Sequence, residues 1–558
     1  MNEKKIPFVG LHAHSVAGSI FDAIGYPDEH MDFCYENGGE ALALTDHGNM
    51  NGFSHQFLHW QKMKSEGKEF KPIFGVEAYF LPSIDEWRDD YNRIKEDAKL
   101  AKSLAKEGDT SGATVEDEEA SKKAIKSVIN RRRHLVLLAQ NQTGLNNLFK
   151  LISESYKEEN FYRYPRVDYK LLAKYSEGVI ASSACLGGPY AGNYWANREE
   201  GPEAVKEAMR ETSRRFVEIF GDRWYGELQW NNIREQHELN QHIIEVCKEF
   251  DITLISTADS HYPHGNAWKD RELYKRLGWL GKGSPAWAED NTELPAGVEE
   301  IGYELYPKNG NQMWDAYKYY SKTGGFEYDD QLVMDSITET HNIAFNRIAD
   351  FTPDTTVKLP DFVVPAGFTD AEALVNYALE GLRGLMRHED EMYTTRLQRE
   401  LDVIEDRGFS KYFLTMKAIA DKANGAQLTG PGRGSAAGSL VAYALGITQI
   451  DPIKYGLLFE RFLRKDATDY PDIDYDVAEP MELKEMLMED WGKNSVIPIS
   501  NWNTLQLKSL IKDISKFYGV EFGEVNKVTS TMIAEATPAA KMKHGIKAGV
   551  YAPTWEEV

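Results

Sequence analysis

Between residues 1 and about 275 the chain alternates short apolar runs with amphipathic stretches, and this alternation leaves few folds open. The runs are PFVGLHAH, ALALTDH, PIFGVEAYF, HLVLLAQ, GVIASSACL and ITLISTADSH. Between them, 202–219 and 235–250 carry apolar residues at helical spacing. The pattern predicts βα units around a parallel sheet or barrel. In such folds the strand C-termini converge on one face, and sites are built there. Five of the six runs place a His, Asp, Glu or Cys at or just past their end. His134 is the exception: it opens its run, so strand logic alone does not select it. His12 and His14, two residues apart, share a strand face, and Asp259 and His261 repeat that spacing.

A second pattern lies in the other half. Residues 430–440 read GPGRGSAAGSL, and 471–476 read PDIDYD. A loop this rich in Gly and Ser lets backbone N–H groups approach an anion closely, and Arg433 adds a planar cationic fork suited to phosphate oxygens. If PDIDYD is a strand, the carboxylates of Asp472, Asp474 and Asp476 project from one face. Carboxylates that close repel one another unless cations lie between them, and oxygen-only sites favour Mg²⁺ or Mn²⁺. A phosphate cradle beside a metal-binding carboxylate strand is apparatus for phosphoryl or nucleotidyl transfer. Taken singly, a glycine-rich loop is more often a tight turn, and an alternating acidic segment is more often a solvated edge.

The phrases LQRELDVIEDRGFSKYFL, LTGPGRGSAAGSLVAYALGITQIDPIKYGLLFERFL and YPDIDYD resemble the palm of the bacterial replicative DNA polymerase III alpha subunit, the C family. The resemblance implies a nucleotidyltransferase palm of the polymerase beta-like type. Asp472 and Asp474 would be its first two catalytic, Mg²⁺-binding aspartates. Arg433, Gly434, Ser435 and Arg461 would meet the incoming triphosphate, while Asp476 has no assigned catalytic role. The phrases LHAHS, ALALTDHGNMNG, KPIFGVEAY, HLVLLAQN, SSACLGG and STADSHY resemble the polymerase and histidinol phosphatase (PHP) domain, which forms the N-terminus of the same subunit. Residue by residue, the family's metal ligands fall on His12, His14, Asp22, His47, Glu77, His134, Cys185, Asp259 and His261. Asp22 stands one residue further from His12 than the family's spacing. Mixed N, O and S donors suit Zn²⁺, Mn²⁺ or Fe²⁺ more than Mg²⁺. The resemblance implies up to three ions and a phosphoesterase site, a 3′–5′ proofreading exonuclease.

The expected architecture is therefore α/β and multidomain. It comprises a PHP distorted β/α barrel over 1–275, a mixed α+β palm over 276–502 and a truncated helical thumb over 503–558. Residues 85–133, dense in charge, read as a solvated helical insertion with a flexible centre near GDTSGATVEDEE. Pro-rich punctuation at 352–365 marks a connecting region. A length of 558 residues requires more than one core, since single cores rarely exceed ~250–300 residues. The net charge of −24 gives no support for nucleic-acid binding by itself, although a polymerase can concentrate positive charge in one groove. The cysteines, Cys34, Cys185 and Cys247, form no CxxC and suggest no disulfide framework. No apolar run is long enough to span a membrane, and the N-terminus has no signal-peptide core, which points to the cytoplasm of a bacterium or of a virus-infected cell.

The resemblance also has gaps. The family's third palm aspartate lies in a phrase like KFDFLGL, which does not occur here. Fingers, helix-hairpin-helix, clamp-binding motif and OB-fold have no counterpart, and RKDATDYPDID stands where the family has NPER before its PDID. The expectation is a polymerase split over two polypeptides, as in an interrupted or viral replicase gene. Its partners would be primer-template DNA, dNTPs and a second chain supplying the third aspartate and fingers, with a sliding clamp reached only through that missing part. Two other classes compete: a stand-alone PHP phosphoesterase with a relic palm, and a non-enzymatic replisome scaffold. The intact GPGRGSAAGS and PDIDYD argue against the first, and the ligand-capable residues against the second.

Overall fold

The computed structural model describes residues 5–20, 22–106, 123–279, 304–356, 362–466, 470–499 and 506–543. The expected flexible centre of the 85–133 insertion lies outside the described residues. The chain divides into two compact units, 1–354 with 505–558, and 355–504. The sequence reading set boundaries at 275/276 and 502/503. Residues 310–342 join the first unit because Met313, Tyr317, Val333 and Ile337 pack into the core that surrounds its sheet.

Six strands form that sheet in the order of the chain: β1 Ala41–Leu44, β2 Lys71–Phe80, β3 Arg133–Ala139, β4 Val179–Ser182, β5 Trp224–Gln229 and β6 Leu254–Thr257. Side-chain alternation sorts each strand between two cores. On the inner face Ala41, Ala43, Ile73, Val136, Leu138, Ile180, Tyr225 and Ile255 pack together. On the outer face Phe74, Val76, Ala78, Leu135, Leu137, Ala181, Trp224 and Leu228 meet the surrounding helices. Being buried on both sides, the strands read as nearly continuous apolar runs. The helices Pro202–Phe220 and Arg234–Glu249 occupy the stretches where helical spacing was read.

The first run, PFVGLHAH, is not a named strand, yet it joins the two edges of the sheet. Gly10 bridges Leu42 within β1, and Ala13 bridges Ser260 just past β6, both in parallel. Ala43 N–H donates to Gly10 O, whereas Thr45 N–H donates to Ala13 O. The first run thus holds one residue more than β1 between these bonds, as in a β-bulge, and the face turned inward switches parity. Below the extra residue Val9 and Leu11 join the inner core; above it His12 and His14 point toward Glu77 and Asp259.

An all-parallel arrangement does not hold. β3 runs antiparallel to β2 and to β4, while the remaining pairs are parallel. The insertion is the reason: it leaves β2 after Phe80 and returns at Arg133, directly opposite Phe80. No crossover carries the chain back to the other end of the sheet, so β3 must run the other way. The insertion is also less solvated than its charge suggests. Trp87 at the start of helix Ile84–Lys106 packs with Leu81, Ile84 and Val128 in a small core of its own, and its ring carries the Arg166 guanidinium 3.8 Å from the centroid.

The second unit is built from helices Asp370–Gly384, Glu391–Asp406, Ser410–Ala426, Leu440–Ala444 and Pro480–Trp491 around Leu374, Leu397, Leu401, Ile404, Phe413, Leu440 and Phe459. No named strand occurs in it among the described residues. PDIDYD is extended chain whose end is held by an antiparallel bridge, Thr429 to Val477. None of the described helices is long and apolar enough to cross a membrane.

In the outer core the Trp224 ring stacks on Phe216, with centroids 4.2 Å apart, and its indole N–H donates to Tyr190 Oη at 3.0 Å. Trp224→Ala therefore leaves a cavity and removes a buried donor. It should lower the unfolding free energy of the first unit by about 3–5 kcal/mol, measured by denaturant titration.

Candidate metal centre and glycine-rich loop

The antiparallel course of β3 brings the start of that strand to the end of the sheet where β2 finishes. His134 therefore sits directly opposite Tyr79 and near Glu77 on the same mouth as the other strand ends. The nine side chains expected as metal ligands gather there. His12 Nε2 lies 3.2 Å from Glu77 Oε1 and 3.2 Å from Asp259 Oδ1. His14 Nε2 is 3.2 Å from the same Asp259 oxygen, and His47 Nδ1 is 2.5 Å from Glu77 Oε2. His134 Nδ1 is 3.0 Å from Glu77 Oε2 and 3.6 Å from Cys185 Sγ. Asp22 Oδ2 meets His47 Nε2 at 2.9 Å and His261 Nε2 at 3.5 Å. Asp22, the residue with the unusual spacing, is thus among them.

The chemistry of this cluster fits bound cations better than it fits hydrogen bonding. His12 Nε2, His14 Nε2, His47 Nδ1, both Glu77 oxygens and Asp259 Oδ1 are buried and have no hydrogen-bond partner, although they crowd one another. Buried polar atoms are normally satisfied, and a set of them converging without hydrogen-bond geometry aims at a common centre. Donors sharing a cation at bonds of about 2.1 Å stand roughly 3 Å apart, which is the spacing seen here. Three sets of such atoms lie close enough to share an ion: His14, His47 and His261; His12, His14 and Glu77; and His47, Glu77 and His134. Asp259 adopts a left-handed backbone, φ 48°, and Ala184 just before Cys185 does likewise, φ 55°. Non-glycine residues in that region recur where side chains must be aimed at a site.

Electrostatics tie the cluster together. Burial opposes charge on Glu77, yet His134, His47 and His12 hold its carboxyl well below the usual range. Burial likewise opposes ionisation of Asp259, and His12 and His261 override it. His12 shows the converse: burial disfavours its cation, but Asp259, Glu227 and Glu77 raise its pKa well above normal. His14 is pushed well down by burial and by the neighbouring His47 and His261. Burial, with Glu77 and Asp259 nearby, pushes the Cys185 thiol up.

Residues missed from sequence orient these side chains. Glu227 on β5 is buried and accepts four side-chain hydrogen bonds: His12 Nδ1–H at 2.7 Å, Ser182 Oγ at 2.6 Å, Thr257 Oγ1 at 2.6 Å and Gln229 Nε2 at 3.1 Å. A carboxylate accepts only, so it fixes the His12 tautomer and leaves Nε2 free toward the cluster. Asp46 does similar work through Ser15 and Ser19, and Ser19 Oγ lies 3.2 Å from His14 Nδ1. Buried Arg271 donates to Asp22 Oδ1 at 2.8 Å and to its carbonyl at 2.5 Å. WYGELQ escapes notice as a strand because Gly and Glu interrupt it, but a lone acid inside an apolar run was a readable signal.

In the second unit burial alternates along PDIDYD. Ile473, Tyr475 and Val477 pack inward, while Asp472 and Asp476 are exposed and Asp474 is half-buried. Gly430 N–H donates to Asp476 O at 2.9 Å, joining the acidic segment to the glycine-rich loop. At Gly434, φ 65° and ψ −158°, an added Cβ would lie 2.3 Å from Asp474 Oδ2; only glycine allows this approach. Arg433 Nη1 pairs with Asp476 Oδ1 at 3.0 Å, and both are largely exposed. Ser435 opens a 3₁₀ turn, Ser435–Gly438, and Arg461 closes another, Phe459–Arg461, with its side chain exposed. Asp472, Asp474 and Asp476 do not gather into a three-ligand group among the described residues. Glu400, another residue not selected from sequence, anchors the loop: buried, it accepts from Ser439 Oγ and Val441 N–H, each at 3.0 Å, and from Arg396 Nε at 2.6 Å. Its place on the apolar stripe of Leu397, Leu401 and Ile404 was the available clue.

Two family models match the chain. Residues 10–231 match the PHP domain, and residues 372–550 match the bacterial DNA polymerase III alpha NTPase domain. The DNA polymerase III subunit alpha of Aquifex aeolicus is 34% identical over 529 residues, covering 93% of this chain and 40% of that protein. That of Borreliella burgdorferi is 31% identical, covering 94% and 40%; that of Mycobacterium tuberculosis H37Rv is 30% identical, covering 98% and 42%. The chain matches the N-terminal portion of DNA polymerase III alpha subunits. It spans about two fifths of the length of these curated relatives.

Glu227→Gln keeps the shape but can turn an amide donor toward His12. It should weaken metal binding about 10–100-fold, read by competition with a chelator.

Proposed function

We propose that the chain supplies the PHP and palm portions of a replicative DNA polymerase III alpha subunit. In this reading the PHP site is a metal-dependent 3′–5′ exonuclease acting on DNA. The observation that carries it is the set of buried, unpartnered donor atoms at the mouth of the sheet, in a chain matching alpha subunits along nearly its whole length. His12, His14, Asp22, His47, Glu77, His134, Cys185, Asp259 and His261 would hold Zn²⁺, Mn²⁺ or Fe²⁺, up to three ions. Bound ions there supply a hydroxide nucleophile at neutral pH and charge stabilisation at phosphorus. The residues do the rest. Glu227 holds His12 in one tautomer, Arg271 fixes Asp22, and burial of Glu77 keeps competing water from its oxygens.

In the second unit Asp472 and Asp474 would bind Mg²⁺, and Gly434, Ser435, Arg433 and Arg461 would receive the triphosphate of a dNTP. Glu400 and Arg396 keep the loop seated; Arg396 also donates to Gly438 O at 2.8 Å. Template-directed synthesis in this reading needs a third carboxylate and a template-binding fingers region from outside residues 1–558, with primer-template DNA as substrate. The domain assignment proposed with it is a PHP domain from residue 1, the palm around 430–476 and the start of a thumb from 503.

The purified chain should bind more than one transition-metal ion and remove 3′-terminal nucleotides from single-stranded DNA. His12→Ala with His14→Ala should abolish that activity and lower the bound metal measured by mass spectrometry. An undiminished exonuclease in the double variant sinks the assignment.

In an enzyme completed with the remaining alpha-subunit portion, Asp472→Asn or Asp474→Asn should lower primer extension by several orders of magnitude and leave the exonuclease largely intact. Asp476→Asn should matter less. Gel-based extension and degradation assays on the same preparations separate the two sites.

A further inference from the structure

Arg132 stands two residues before the ligand His134, at the mouth of the sheet, and no carboxylate pairs with it among the described residues. Its guanidinium lies 3.8 Å from the Tyr164 ring centroid and 5.1 Å from that of Tyr79. Its Nε is buried without a hydrogen-bond partner, Nη1 lies 3.5 Å from the Asn130 carbonyl, and the guanidinium also interacts with the Tyr79 hydroxyl. Tyr79 in turn touches the metal cluster: its ring is nearly parallel to His47, centroids 6.2 Å apart, and 5.5 Å from His134. Tyr79 and His134 are direct cross-strand partners and share a face. A cation with donors to spare is therefore held one aromatic ring away from the site that Asp22, Glu77 and Asp259 line with carboxylates.

The neighbouring surface has matching character. Tyr164 belongs to the segment FYRYPR, in which Phe161 and Tyr162 are both 38% exposed and Arg163 is exposed between them and Tyr164, whereas Arg166 is buried against Trp87. Aromatic faces interleaved with arginines are how proteins hold single-stranded nucleic acid: bases stack on the rings while cations meet the phosphates. Arginine stacked on tyrosine keeps its fork oriented, so that little freedom is lost when it grips a phosphate.

We propose that Arg132, seated on Tyr79 and Tyr164, binds the phosphodiester next to the scissile one and so positions the 3′ end of single-stranded DNA at the metal site. The inference rests on the exonuclease reading above and adds to it the residue that recognises a strand rather than an isolated ester.

The test compares the full chain with Arg132→Met, which keeps the packing on Tyr164, and Arg132→Lys, which keeps the charge. With Mn²⁺ loaded, hydrolysis of oligothymidylate is measured beside that of the p-nitrophenyl ester of thymidine 5′-monophosphate, which has no adjoining phosphodiester. The ratio of kcat/KM for oligonucleotide over ester should fall at least about tenfold in Arg132→Met, mostly through KM, with bound metal retained. Arg132→Lys should recover most of it. In parallel, binding of tetrathymidylate in Ca²⁺ is followed against salt. The slope of log Kd should be shallower by about 0.7 for Arg132→Met and unchanged for Arg132→Lys. An unchanged ratio with an unchanged slope overturns the proposal, and so does an equal fall on both substrates accompanied by metal loss. If the parent chain hydrolyses neither substrate, the exonuclease reading falls. The salt slope then decides Arg132 alone: a change upholds it as a phosphate-binding residue, and no change removes it.

Discussion

A buried carboxylate surrounded by imidazoles is the constraint on which the first unit turns. Glu77 is fully buried on β2, and His12, His47 and His134 come to it from three other segments. A carboxylate in that position is costly unless charge of the opposite sign surrounds it. Here the imidazoles that meet it arrive on the first run, on the loop after β1 and on the start of β3. The positions of those segments are therefore coupled to one another through a single side chain. Cations at the same centre would relieve the crowding of donor atoms, and folding and metal binding are then two aspects of one equilibrium.

Two irregularities of the sheet serve this centre. The extra residue in the first run switches its inward face, so Val9 and Leu11 complete the inner core while His12 and His14 reach the mouth. The reversal of β3 presents the start of a strand where the other strands present their ends. An unbroken parallel barrel would have placed His134 at the opposite end. Both irregularities leave the apolar core unchanged and alter only which polar residues reach the mouth.

The second unit follows a different logic. Its glycine-rich loop is held from behind by Glu400 and Arg396 and approaches Asp474 in front at Gly434, whose φ of 65° and ψ of −158° favour glycine. Arg433 has the carboxylate of Asp476 as its partner. The loop and the acidic segment meet through the Gly430–Asp476 backbone bond and the bridge between Thr429 and Val477, a short link consistent with a segment that presents carboxylates outward.

Much of this was legible in the sequence, for physical reasons. Apolar runs ending in His, Asp, Glu or Cys announce strands with ligand-capable side chains at their ends, because burial periodicity and donor chemistry are local properties of residue type. GPGRGSAAGSL and PDIDYD were likewise readable as a loop and an extended acidic segment. What the sequence did not determine was direction and distance. The antiparallel course of β3 depends on where the 85–133 insertion returns, which no local pattern encodes. Glu227 and Glu400 stand out as acids in apolar settings, but not by role, since the partner that gives each its role, His12 or Ser439, lies 215 or 39 residues away. Arg132 lies in the sequence NRRRH, and only the pairing of Tyr79 with His134 across two strands reveals that its charge stands beside the imidazole–carboxylate cluster.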